Sequence, residues 1–187
     1  SAKLTVPISE QQIRALKVGD QVLLSGVIFT GRDAAHKFLT DTFIKGPCPD
    51  AEKPFYSTLK RELAGSVIYH CGPVVRKLPT GRYEFVAAGP TTSIREEPYQ
   101  AGVFEHFGVR AVIGKGGMLD RTLEGCRRCG AVYLHAIGGA ATLIAESCTP
   151  VGDDCGCTEG SAGASVLDFF DTDSDCAIPL EELMSNS

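Results

Sequence analysis

Three short strings in this 187-residue sequence hold side chains suited to chemistry. They are Thr30-Gly31-Arg32-Asp33, Gly89-Pro90-Thr91-Thr92-Ser93-Ile94-Arg95 and Gly114-Lys115-Gly116-Gly117. Each follows an apolar run and sets a glycine beside a charged or hydroxyl-bearing residue. In α/β sheets, ligands gather in loops at the carboxyl ends of the strands. Arg32, Arg95 and Lys115 brought to one sheet end would make a cationic pocket in an acidic protein. Such a pocket suits a small anion with more than one carboxylate, because arginine grips a carboxylate through paired N–H donors and lysine adds a point charge. The competing reading is three ordinary surface charges.

Other reactive patterns fail on spacing. Gly114-Lys115 resembles the end of a phosphate-binding loop, but five residues rather than four separate it from Gly108, and Gly116 stands where a hydroxyl is required. No third glycine follows Gly117 to complete a dinucleotide fingerprint. Ser25 lacks the flanking glycines of a nucleophile elbow. The histidines are His36, His70, His106 and His135, and no two form a zincin pair. His36 falls four residues after Arg32, on one face if the segment is helical, and reads as structural rather than as a ligand. Cys126-x-x-Cys129 and Cys155-x-Cys157 raise a four-cysteine zinc site as one possibility. The one-residue spacing of the second pair and the lack of a nearby histidine favour unrelated thiols.

Composition bounds the rest. The length fits one compact domain with a sizeable core. Hydrophobic residues make up 43% and charged residues 22%, which argues against a mostly disordered chain. Lys and Arg number 18 against 23 Asp and Glu, a net charge of −5 that points away from nucleic acid. No apolar run approaches the ~18 residues a membrane span needs, and the first residues lack the apolar core of a signal peptide. Eight cysteines are too few for a disulfide scaffold. A reducing, cytoplasmic compartment is therefore expected.

The elements that must position these residues alternate. Apolar runs at 21–29, 66–70, 83–88, 110–113 and 131–137 read as strands. Helices are expected from Ala34 to Leu39 with Asp33 as N-cap, from Pro98 to Phe107 closed by Gly108, from Leu119 to Cys129 closed by Gly130, and after Gly138-Gly139. Residues 45–54 read as a loop. The alternation indicates an α/β fold. From Thr149 the sequence turns rich in Gly, Ser, Asp and Cys, so the expected division is a domain at 1–148 and a loosely ordered, acidic tail at 149–187 with at most one short element.

Read together, four ordered strings resemble a known family. Residues 24–37, from Leu24-Ser25-Gly26 through Thr30-Gly31-Arg32-Asp33-Ala34-Ala35-His36-Lys37, are similar to the opening motif of the β part of iron–sulfur hydro-lyases. That family includes class I fumarases and L(+)-tartrate dehydratases. Ile68-Tyr69-His70-Cys71-Gly72-Pro73, Ala88-Gly89-Pro90-Thr91-Thr92-Ser93 and Ile113-Gly114-Lys115-Gly116-Gly117 resemble its later motifs in the same order. The resemblance spans residues 4–147. It implies a swivelling β/α domain, a central mixed sheet flanked by helices, that closes over an α partner subunit. It also implies a [4Fe–4S] cluster on that partner and none on this chain, activity only in the hetero-oligomer, and a C4 dicarboxylate substrate. Arg32, Arg95 and Lys115 would bind the substrate, with Thr91 and Lys115 as catalytic residues and Thr91 transferring the proton. Fumarate hydration is the leading expectation, tartrate dehydration the alternative, and a non-catalytic dicarboxylate-binding domain a third. Two departures stand out. Glu96-Glu97 follows Arg95 where the family usually has Met and an acidic residue, and the tail, like the whole chain, contains no Trp.

Overall fold

The computed structural model describes residues 1–81, 83–136, 139, 141–147, 149–150 and 168–178. Its strands are β1 (Ala2–Thr5), β2 (Val22–Thr30), β3 (Val67–Tyr69), β4 (Val74–Lys77), β5 (Tyr83–Ala87), β6 (Ala111–Gly114), β7 (Val132–His135), β8 (Thr149–Pro150) and β9 (Asp168–Ile178). Its α-helices are α1 (Glu10–Arg14), α2 (Asp33–Leu39), α3 (Lys53–Leu63), α4 (Gln100–Phe107), α5 (Asp120–Cys129) and α6 (Ala141–Glu146). The principal sheet runs β7-β6-β3-β2-β9-β8, and β1 also pairs with β2. The pairings of β1, β2, β3, β6 and β7 are parallel; β9 lies antiparallel on β2, and β8 antiparallel on β9. The sheet is therefore mixed and the fold is α/β.

Alternation along the strands explains why both faces are covered. Val67 and Tyr69 of β3, with Ala111 and Ile113 of β6, enter one core; Ile68 and Val112 enter the other. Parallel strands buried on both faces carry near-continuous apolar runs, as these do. The first core also takes Ile13 of α1 and Ala145 of α6, and the second takes Leu39, Leu59, Leu63, Phe104 and Phe107 from α2, α3 and α4. Gly108 and Gly130 close α4 and α5 in the left-handed conformation, at φ 73° and 62°. Glycine alone adopts that region without a side-chain penalty.

Four features depart from expectation. Helix α3 begins inside the segment read as a loop, because Pro54 sits in its first turn, where a missing N–H costs nothing. Leu59 and Leu63, four apart, give it a buried face. The N-cap of α2 is Arg32, not Asp33, and makes no side-chain cap. β5 leaves the main sheet to pair with β4 in a separate two-stranded sheet. Beyond residue 148, β8 and β9 join the principal sheet, with β9 pairing along β2 from Val22 to Thr30; Cys155 and Cys157 lie outside the described residues.

Candidate active site

β2, β3 and β6 run parallel, so their carboxyl ends and the loops that follow lie together. β2 ends at Thr30, and its loop places exposed Arg32 at the start of α2. The Arg32 side chain crosses the loop after β3: a Cβ added to Gly72 would stand 2.9 Å from Arg32 Cδ and 3.4 Å from Nη1. Gly72 thus clears the track in which that guanidinium lies.

Thr91 follows β5 rather than a strand of the main sheet, yet the main sheet holds it. Its N–H and its Oγ1 both donate to the His70 carbonyl, at 2.7 and 2.8 Å. The Lys115 N–H donates to the Thr91 carbonyl at 3.4 Å, and the Ser93 N–H to the Lys115 carbonyl at 3.0 Å. Thr92 and Lys115 form a parallel bridge. Thr91 and Lys115 are therefore neighbours through backbone pairing, and both are half-buried. The turn Ser93–Glu96 buries Ser93 and Glu96 and leaves Ile94 and Arg95 outward. Arg32 and Arg95 both act electrostatically on the Glu96 carboxyl.

A buried polar network anchors these loops, and sequence reasoning missed it. Tyr133 Oη donates to Ser93 Oγ at 3.1 Å. Ser93 Oγ and His70 Nδ1 are 2.8 Å apart, as are His70 Nε2 and Gln100 Oε1. Because Gln100 presents its oxygen, the network assigns the His70 proton to Nε2, and Ser93 donates to Nδ1. Burial, then the neighbouring His36, push His70 down to about 3, so it stays neutral across the working range. A ring this buried and this weakly basic is a scaffold, not a base. His36 packs edge-on to it with centroids 5.3 Å apart, and its Nδ1–H donates to the Arg32 carbonyl at 2.8 Å. The members of the network come from the end of β3, the Ser93–Glu96 turn, α4 and β7, so no local spacing in the sequence marks it.

Gly114 makes the network possible, since an added Cβ would overlap Ser93 Oγ and approach His70 Nδ1 to 3.0 Å. Gly114→Ala is expected to destabilise the protein by about 1–3 kcal/mol, as overpacking does; a urea melt of the variant beside its parent checks this.

The two acidic residues after Arg95 have different surroundings. Glu97 accepts from the Leu119 and Thr122 N–H groups at 3.0 and 3.1 Å and from Thr122 Oγ1 at 2.6 Å, which fastens the turn to the amino end of α5. Glu96 is 1% exposed and its Oε2 has no hydrogen-bond partner. Burial pushes its carboxyl from 4.5 up to about 7; Asp33 adds to the rise, while its own N–H, Arg32 and Arg95 oppose it. Between those two values the folded chain keeps a proton that the unfolded chain has lost. Glu96 therefore lowers stability as pH rises from about 4.5 to about 7. Glu96→Gln is expected to exceed its parent by about 1–3 kcal/mol near pH 8 and to match it near pH 4, measured by denaturant melts at both values.

The described residues contain no group of three His, Cys, Asp or Glu side chains placed to hold a metal ion. Cys126 and Cys129 are reduced thiols on the last turn of α5. Burial, and then Cys129, push Cys126 up to about 12, so it is a protonated packing residue at neutral pH. Among the described residues, this pair alone is not a ligand set for an iron–sulfur cluster. A separate cleft of about 580 Å³ lies between α1 and α5, lined by Leu16, Val18, Leu123 and Val132 among others, and it includes none of Arg32, Thr91, Arg95 or Lys115. No described helix is long and apolar enough to cross a membrane.

The chain is 48% identical over 166 residues to a Geobacillus stearothermophilus protein named "Putative fumarate hydratase class I", covering 89% of this chain and 27% of that protein. It is 37% identical over 142 residues to the L(+)-tartrate dehydratase subunit beta of Escherichia coli strain K12, covering 76% of this chain and 64% of the relative. A Methanocaldococcus jannaschii protein named "Putative L(+)-tartrate dehydratase subunit beta" is 36% identical over 140 residues, 75% of this chain and 66% of the relative. The chain thus spans about a quarter of the first relative and less than two thirds of the second. The family model described as Fumarase C-terminus matches residues 1–152, and the chain belongs to that family.

Proposed function

We propose that this chain is the substrate-gripping β part of a two-subunit hydro-lyase that reversibly hydrates fumarate to malate. The observation that supports the reading is the backbone pairing of the Thr91 and Lys115 loops, held by the His70 network, with exposed Arg32 and Arg95 on loops next to it in the fold. The 48% identity to a protein named for fumarate hydratase supports fumarate as substrate. Relatives named as tartrate dehydratase subunit beta, at 37% identity, support the second reading, dehydration of L(+)-tartrate.

In this reading an α partner in the cytoplasm carries a [4Fe–4S] cluster, and that group, when bound, supplies a Lewis acid for the hydroxyl oxygen. This chain does the rest. Arg32 and Arg95 clamp the substrate carboxylates bidentately, and Lys115 adds a positive charge. Clamping both ends fixes the carbon that must gain or lose a proton. Thr91 faces that carbon with its hydroxyl, and Lys115 beside it stabilises the alkoxide formed when the hydroxyl gives up its proton. His36 and His70 hold the clamp from behind by fixing the Arg32 carbonyl and Ser93.

The test is anaerobic co-expression with an α-type subunit, followed by assay with fumarate and with L(+)-tartrate. Fumarate is expected to give the higher kcat/KM. Preference for tartrate would select the second reading. No turnover of either by a cluster-loaded assembly would leave a non-catalytic dicarboxylate-binding domain.

A further inference from the structure

Glu96 has no task in that reaction scheme, yet it is buried in the turn that carries Arg95. Its carboxyl is buried, its Oε2 is unpartnered, and its turn carries Arg95 on the outside. A buried carboxylate with an empty acceptor is costly unless it is neutralised or charge-compensated. The cationic groups that act on it are Arg95, its neighbour in the turn, and Arg32, both exposed and both groups that would grip the substrate. Those guanidiniums cannot fully serve an anion outside and a carboxylate inside at once. We propose that Glu96 is a positioning residue for the anion, its buried carboxyl taking a proton from solvent when a dicarboxylate binds to Arg32 and Arg95. The inference rests on the dicarboxylate reading and goes beyond it in assigning Glu96 and the proton.

The balance is simple. Glu96 carboxylate plus one solvent proton gives the neutral acid, and no other bond changes. A bound dianion cancels the favourable field of the two arginines at Glu96 and adds negative charge, so the carboxyl holds its proton more firmly. By reciprocity, protonated Glu96 leaves both guanidiniums to the ligand and tightens binding. A displacement of one pH unit in the Glu96 midpoint corresponds to roughly tenfold in affinity between its two protonation states. The other groups that bear on Glu96 are Asp33, at the start of α2, and Tyr133 of β7. His36 and His70 behind the turn are kept toward the neutral form by burial. Without ligand the Glu96 carboxyl titrates at about 7, where a small displacement changes its charge.

The experiment is carboxyl-carbon NMR of the full 187-residue chain with labelled glutamate, titrated in pH with and without fumarate as probe. Glu96→Gln assigns the resonance, and the Arg32 and Arg95 Nε–H signals report whether fumarate binds. The expected result is a Glu96 midpoint near 7 that rises by about one pH unit at saturating fumarate. Fumarate affinity of the parent should weaken roughly fivefold from about pH 6 to about pH 8, whereas Glu96→Gln and Glu96→Met should hold the tight value throughout. A Glu96 midpoint in the ordinary carboxylate range overturns the proposal. So does a midpoint that fumarate leaves in place while shifting both arginine signals, or an unchanged pH dependence of affinity in either variant. If fumarate moves neither arginine signal, the dicarboxylate reading itself fails, and the proposal fails with it.

Discussion

Thr91→Ala is expected to lower turnover of the assembled enzyme by about 10²–10⁴ while leaving the KM for the dicarboxylate nearly unchanged. Hydration of a carbon–carbon double bond requires a proton at carbon, and the reverse reaction requires its removal. Thr91 is held by paired bonds from its N–H and Oγ1 to the His70 carbonyl and by the Lys115 N–H on its own carbonyl. The same bonds would also suit a hydroxyl that merely caps a turn, a common role for threonine. Kinetics separates the two. A turn-capping role predicts a stability loss with turnover preserved, whereas proton transfer predicts lost turnover with the melting temperature preserved. Thr91→Ser, which keeps the hydroxyl, should retain much of the rate. Near-parental turnover in Thr91→Ala would assign the proton to a residue of the partner.

The second large effect concerns the clamp. Arg32→Ala or Arg95→Ala should each lower kcat/KM by roughly 30-fold or more, the cost of leaving one charge of a desolvated pair unmatched. Replacement by Lys should restore little, because a point charge cannot reproduce two parallel N–H donors. Both arginines are exposed in the chain alone, so removing them should not disturb the fold. A thermal melt beside steady-state kinetics checks that the loss belongs to the substrate. Gly72→Ala should give a smaller loss of the same kind, since its Cβ would displace the Arg32 side chain without removing the charge.

The parts of the fold legible in the sequence are those set by local chemistry. The apolar runs of β2, β3, β6 and β7 and the left-handed glycines after α4 and α5 announce themselves one residue at a time. The loop residues at the strand ends were legible for the same reason: glycine beside a charge marks a turn with something to present. What escaped depends on contacts between distant segments. The β4–β5 ribbon and the pairing of β9 with β2 are long-range choices that no window of the chain displays. The His70–Ser93–Gln100–Tyr133 network joins residues 23 to 40 positions apart, so its members look like isolated polar residues until β3, β6 and β7 lie side by side. Glu96 escaped for a different reason. A glutamate beside Arg95 reads as a solvated ion pair, and only the turn that points Arg95 outward and Glu96 inward reveals a buried acid.

The proposed function requires Arg32, Arg95, Lys115 and Thr91 to meet one dicarboxylate. A crystal structure of the assembled enzyme with fumarate bound measures this most directly. The expected result is that the guanidiniums of Arg32 and Arg95 and the ammonium of Lys115 lie within hydrogen-bond distance of the two substrate carboxylates, with Thr91 Oγ1 facing a central carbon. Fumarate held wholly by the partner subunit, with these four side chains turned to solvent, would contradict it.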